Sequence, residues 1–221
     1  MALGVDFVEV DVRITADRRL VCIHDPTVAG VEVAGVAHAD LVLACDAAGV
    51  PAPPQLGDVA DRCRGRVRLE VELKVARIES QVFEEVGRAS LDQTVFMSFD
   101  DGVVRALKRH EPSCVAGLHL GRSRSRWGGL SRLGELFPGW RLRACRADFV
   151  APHQRLLKFG FAWRMRHFGR PVFVWTVNDA ATMEALLSDV DGIITDEPAM
   201  LLALRAAASA APPGAALGPS R

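Results

Sequence analysis

The sequence predicts an α/β fold built on parallel strands, and three observations carry that prediction. Seven short apolar runs read as strands: VDFVEVDV (5–12), RVRLEVELKV (66–75), TVFMSF (94–99), CVAGLHL (114–120), ADFVAPH (147–153), PVFVWTV (171–177) and VDGIITD (190–196). Segments of helical period separate most of them, and strands alternating with helices imply parallel pairing through crossovers. The composition, 49% apolar and 24% charged over 221 residues, suits one globular domain with a sizeable core.

The elements follow in order. After the first strand, RRLVCIHD (18–25) comes after only the five residues RITAD, too few for a helical crossover. It therefore reads as the return arm of a hairpin. The run at 66–75 alternates with strict period two. Helices are expected at 80–89, 100–110, 153–169 and 178–188. The third contains Gly160 and stops at Gly169-Arg170-Pro171; in the fourth, Asn178 or Asp179 is suited to the N-cap. Residues 121–146 support at most one short helix. No internal repeat is visible. The barrel-like domain is expected over 1–205, followed by an Ala/Pro/Gly-rich tail at 206–221 that reads as disordered. Seven parallel strands are one fewer than an eight-stranded barrel needs.

Composition excludes several classes. Formal net charge is zero, so bulk charge argues for neither nucleic acid nor an anionic membrane as partner. The clusters Arg122, Arg124, Arg126 and Arg164, Arg166, Arg170 read as solvated faces. Five dispersed cysteines form no Cys-x-x-Cys pair, which points to a reducing compartment without a disulfide framework or zinc site. No apolar stretch reaches the ~20 residues of a membrane helix. With Met1 as the start there is no basic leader, so the expected location is cytoplasmic. Neither a Gly-rich phosphate loop nor a Gly-x-Ser-x-Gly elbow occurs.

Residues two apart on a strand share a face, so Glu9 and Asp11 point one way while Val8, Val10 and Val12 point the other. On the second strand Glu70, Glu72 and Lys74 oppose Leu69, Val71 and Leu73. Buried carboxylates are costly unless paired or bound to a cation. Two strands converging carboxylates on one face suit a hard cation, Mg²⁺ or Ca²⁺; a solvent-facing strand is the plainer alternative. His24, at the end of an apolar run, is either a general acid/base or the cap of the turn begun by Asp25-Pro26. His119 and His153 lie near strand ends and read as structural, and the pattern around Trp175 reads as core.

Taken in order, GVDFVEVDVRITADRRLVCIHDPT, VPAPPQLGDV, RLEVELK, VFMSFD, ADFVAPHQRLL, VFVWTVND and VDGIITDEPAML resemble the glycerophosphodiester phosphodiesterase family, over most of residues 2–203 and least at 121–146. The resemblance implies a TIM-type (β/α)8 barrel of the phosphatidylinositol-phosphodiesterase-like kind, incomplete because its first strand and helix are absent. It implies a divalent cation, Mg²⁺ or Ca²⁺, on Glu9, Asp11 and Glu72. Lys74 falls near the substrate phosphate, His24 on one of two proton-transfer histidines, and Trp175 on an aromatic that lines the substrate site. The implied reaction hydrolyses a small glycerophosphodiester to glycerol 3-phosphate and an alcohol, with no nucleic-acid partner and no stable membrane insertion. This chain departs from the family pattern in three ways. His-Arg-Gly and Glu-Asn motifs of the first strand and helix are not found. The segment 28–40 is short. Glu70 stands where a neutral polar residue is usual, and is expected to pair with Arg66 or Arg68 or to crowd the metal site. Alternatives are a non-catalytic homologue that binds metal or phosphodiester, and a phospholipase D-like barrel acting on lysolipids.

Overall fold

A computed structural model describes residues 3–121 and 133–210. All seven expected strands form and run parallel in chain order: β1 (Phe7–Ile14), β5 (Arg68–Leu73), β6 (Thr94–Ser98), β7 (Val115–Leu120), β8 (Phe149–Pro152), β9 (Phe173–Val174) and β10 (Gly192–Ile193). Parallel bridges from Val150 to Val172 and from His153 to Trp175 join β8 to β9, so one wall runs from β1 to β10. The hairpin arm is β2 (Leu20–Cys22), antiparallel to β1, and a small ribbon of β3 (Thr27–Val28) and β4 (Val31–Glu32) follows it.

Around the wall lie α1 (His38–Ala47), α2 (Leu56–Cys63), α3 (Glu79–Val86), α4 (Asp101–His110), α5 (Gly139–Cys145), α6 (Phe161–His167), α7 (Ala180–Leu186) and α8 (Pro198–Ala210). Alternation divides each strand between two cores. Val12, Val71, Phe96, Leu118, Val150 and Val174 face the helices in the main core. Met97, Phe149 and Ala151, with Phe173, Trp175 and Ile194, fill the inside of the wall. Two glycines permit this filling. A Cβ on Gly117 or Gly192 would lie 2.2 or 2.1 Å from the rings of Phe149 and Phe173, which meet edge to face at 5.0 Å.

This is a TIM-barrel wall that does not close. Among the described residues no ladder joins β10 to β1, and a cavity of about 830 Å³ opens there, lined in part by Phe7, Glu9, Glu70, Phe149, Phe173 and Ile193. At the N-terminal ends of the strands Arg205 of α8 donates to Asp6 at 3.0 Å, linking the last helix to the approach of β1. No helix among the described residues is long and apolar enough to cross a membrane.

Several expectations are corrected. The helix expected at 153–169 is a 3₁₀ turn, Gln154–Leu156, and then the short α6, because Phe159 and Gly160 take positive φ and break the helical path. The helix expected at 80–89 stops at Val86, where Gly87 turns to φ +80°. Val177, two residues past Trp175, packs in the outer core and not on the inner face with Trp175, because the chain leaves strand geometry after Trp175. Asp179, not Asn178, caps α7 by accepting from Thr182 N at 2.8 Å. Helix α8 continues through Ala210, past the boundary expected at 205. The tail beyond it and the Arg122–Arg124–Arg126 cluster lie outside the described residues.

Candidate active site

The acids of β1 and β5 face inward side by side. Their parallel register pairs Glu9 with Glu70 and Asp11 with Glu72. Both strands turn their branched apolar residues to the helices, so the intervening residues must point into the wall. Oxygen atoms of Glu9, Asp11 and Glu72 lie within 4.8 Å of one another. Lys74 follows at the C-terminal end of β5. Its Nζ sits 2.7 Å from Asp11 Oδ1 and 2.6 Å from Glu72 Oε1, with its side chain only 4% exposed.

The electrostatics are strained toward a cation. Burial, and then repulsion from Asp11, Glu72 and Glu70, pushes the Glu9 carboxyl up to about 8, against the pull of Lys74. Glu70 is pushed up to about 8 by burial and then by Glu72. Its expected pairing with Arg66 or Arg68 does not form. Arg68 instead lies over the Phe7 ring and 3.9 Å from Asp6, while Glu70 is buried beside the acids. Four inward carboxyls face one ammonium. An all-oxygen donor set this close fits a hard divalent cation, held by Glu9, Asp11 and Glu72.

His24 reaches the same end of the wall through the hairpin. Ile23 N donates to Asp11 O at 2.7 Å, and the antiparallel register then sets His24 near the level of Val10, between Glu9 and Asp11. Arg13 Nε and Nη2 donate to His24 O at 3.0 and 2.8 Å and tie down its backbone. Its side chain is 68% exposed, with Nδ1 2.8 Å from Asp25 Oδ1, which leaves Nε2 for another partner. A histidine oriented by a carboxylate at a site edge has the form of a proton carrier.

Facing the acids across the mouth is a ring of aromatics. Trp175 Nε1 donates to Ala151 O at 2.8 Å. Its ring stacks on His119 with centroids 5.5 Å apart, and meets Phe99 and His153 edge-on at 5.4 and 4.9 Å. A Cβ on Gly121 would come 2.5 Å from that of His153, and Gly121 takes φ +112°, so glycine is needed there.

Comparison with known proteins decides the family. The chain matches the Glycerophosphoryl diester phosphodiesterase family over residues 1–48 and 63–200. It belongs to that family. YhdW of Bacillus subtilis (strain 168), which carries the glycerophosphodiester phosphodiesterase name, is 28% identical over 220 aligned positions, covering 90% of this chain and 86% of the relative. Among solved structures, a glycerophosphodiester phosphodiesterase from Thermotoga maritima superposes with a TM-score of 0.75 at 21% identity, over 92% of this chain and 87% of that one. An Oleispira antarctica phosphodiesterase, in complex with the product sn-glycerol-3-phosphate, gives 0.73 at 18%, over 93% and 87%.

Sequence reasoning gave two residues at this mouth too little weight. His119 was read as structural, yet it is 5% exposed, its Nδ1 is 3.7 Å from Glu72 Oε2, and neither ring nitrogen has a hydrogen-bond partner among the described residues. Burial, and then Lys74, pushes it down to about 3, so it is neutral with one donor and one acceptor to offer. The alternation of CVAGLHL already placed His119 opposite Leu118 and Leu120, on the inner face. Asn178 was also missed. It donates to Asp196 Oδ2 at 2.7 Å and accepts from Thr195 Oγ1 and Asp196 N, which locks the loops after β9 and β10 together.

Proposed function

We propose that this chain hydrolyses glycerophosphodiesters to sn-glycerol 3-phosphate and an alcohol, using a divalent cation, Mg²⁺ or Ca²⁺, held by Glu9, Asp11 and Glu72. The observation that carries this reading is the inward trio of carboxylates beside Lys74, within a chain of this family. The cation would supply charge neutralisation to the phosphate and polarise the attacking oxygen. Lys74 sits where its ammonium can turn from Asp11 and Glu72 toward a non-bridging phosphate oxygen. His24, steadied by Asp25 and by the grip of Arg13 on its carbonyl, moves a proton at its Nε2. Trp175 gives the substrate a flat apolar wall opposite the charges, held by its bond to Ala151 O. The neutral His119 beside it offers a hydrogen bond to an oxygen bound between Trp175 and Glu72. The product bound to the Oleispira antarctica relative supports a small glycerol-phosphate ligand at this mouth.

The test has two readouts. Release of sn-glycerol 3-phosphate from glycerophosphocholine should require a divalent cation and disappear with a chelator, and His24→Ala should lower it severely. Calorimetric binding of sn-glycerol 3-phosphate in the presence of Mg²⁺ or Ca²⁺ reports the site without turnover. Activity indifferent to the chelator would contradict the cation's role, and absence of both turnover and product binding would contradict the reading as a whole.

A further inference from the structure

Zero net charge conceals a strong local asymmetry. Residues 133–170 carry eight lysines and arginines against only Glu135 and Asp148. Neither acid is free to offset them at the surface: Glu135 is buried, and Asp148 is paired with Lys108 at 2.9 Å. The same segment holds six of the eleven large apolar side chains exposed among the described residues, including all five exposed aromatics: Phe137, Trp140, Phe159, Trp163 and Phe168. Trp140, Phe159 and Trp163 are 66%, 79% and 68% exposed. Scattered exposed apolar residues are ordinary, whereas a cluster marks an interaction surface.

Topology sets where this cluster sits. Phe137 belongs to the connection from β7 to α5, and Trp140 to the first turn of α5. Phe159 belongs to the connection from β8 to α6, and Trp163 to the first turn of α6. In a parallel βα wall these positions all lie at the C-terminal ends of the strands, the end that carries Asp11, Lys74 and Trp175. The two helices are neighbours there. Arg164 of α6 lies over the Phe137 ring at 4.4 Å and donates to Leu136 O at 2.9 Å, and one turn further Arg143 of α5 lies over Phe168 at 5.8 Å. Basic stems therefore interleave with the aromatic rings.

We propose that this α5–α6 edge docks the protein onto an anionic lipid surface. Charge complementarity selects the partner's sign, because Arg155 and Lys158 are exposed beside these rings, Arg143 and Arg166 are exposed along the two helices, and the segment has no exposed acid. The aromatics select a bilayer over an acidic protein. Side chains two-thirds exposed on loop tips and first turns do not line a groove for a peptide, whereas tryptophan and phenylalanine flanked by snorkelling arginine and lysine is the composition that enters a headgroup layer. Docked on this edge, the protein lies on the membrane without spanning it and holds its mouth at the lipid surface. Docking does not depend on the hydrolytic reading, since it is measured without substrate.

Co-sedimentation with vesicles tests it. The full chain should pellet with vesicles of 30% phosphatidylglycerol in phosphatidylcholine, bind pure phosphatidylcholine at least tenfold more weakly, and release as salt rises. Phe159→Ala with Trp163→Ala, and separately Lys158→Glu with Arg155→Glu, should each lower binding at least tenfold while leaving the thermal melt and glycerophosphocholine turnover unchanged. Leu43→Ala, exposed on α1 away from this edge, should bind as the parent does. No binding to anionic vesicles, or binding that both double variants retain, would overturn the proposal. Concentration-dependent self-association abolished by Phe159→Ala/Trp163→Ala, without vesicle binding, would also overturn it by making this edge a contact between copies of the chain.

Discussion

The two sides of the mouth are built on opposite principles. Strands β1 and β5 turn four carboxyls inward and leave one lysine to answer them. Strands β7, β8 and β9 turn rings inward: His119, Phe149, Phe173 and Trp175, packed edge to face or stacked. The acidic side crowds like charges and would gain from a cation. The aromatic side is complete by itself and gives shape. Charge on one side and shape on the other, with Lys74 bridging Asp11 and Glu72, let a neutral chain concentrate four acids in a small volume.

The largest effect should come from breaking the acidic side at its centre. Asp11→Ala removes one of the proposed ligands, and since losing an outer partner of a ligand typically costs 10–100-fold in metal affinity, cation affinity should fall by more than ~100-fold. Titration calorimetry with Mg²⁺ and Ca²⁺ checks this, and glycerophosphodiester turnover should vanish in parallel. Next, Lys74→Met should destabilise the chelated protein by about 3–5 kcal/mol, the range for removing one partner of a buried ion pair. Denaturant unfolding measures it. Added cation should recover part of the loss, because it neutralises the same acids.

On the aromatic side the effects should be smaller and separable. His119→Phe keeps a ring against Trp175 and Phe99 but removes both nitrogens. Its melt should match the parent, while sn-glycerol 3-phosphate binding weakens about tenfold, the worth of one hydrogen bond to a charged group. Equal binding in His119→Phe and the parent would reduce His119 to packing. The smallest effect is a pH slope. Glu9 and Glu70 titrate near 8 in the chelated folded protein and near 4.5 unfolded, so the folded state holds more protons between those values. Their contribution to stability is therefore present below about pH 4.5 and lost as pH rises through about 8. Thermal melts of the chelated protein should fall across that window, and Glu70→Gln should flatten the slope.

How much of this was legible in the sequence follows from how local each signal is. Strands β1 and β5 declared themselves because period-two alternation of valine and leucine with acids is complete within eight residues. The hairpin arm was legible because five residues cannot cross a barrel. Helices α1 and α2 were not identified. Helix α1 lacks a capping side chain and buries only Leu41 and Cys45, and α2 is eight residues long with no side-chain cap. Among the candidate residues, Glu9, Asp11, Glu72 and Lys74 are brought together by register, which alternation already implied. The resemblance placed Trp175 at the mouth, where pattern alone favoured core, and its half-buried ring serves both. His119 could not be weighted correctly from one strand, because its isolation depends on neighbours from β5, β6 and β9. The basic-aromatic edge of α5 and α6 was hidden for a different reason: its charge cancels in the whole-chain sum, and exposure is a property of packing.

The central claim is that Glu9, Asp11 and Glu72 form one cation site in which the Glu9 carboxyl is raised to about 8 until the cation arrives. Calorimetric titration of Mg²⁺ or Ca²⁺ at pH 7, repeated in buffers of different ionisation enthalpy, tests it most directly. With Glu9 at about 8 in the metal-free state, binding should be one cation per chain with release of about one proton, and Asp11→Ala should abolish it. Binding with no proton release, or binding that Asp11→Ala leaves intact, would contradict the account.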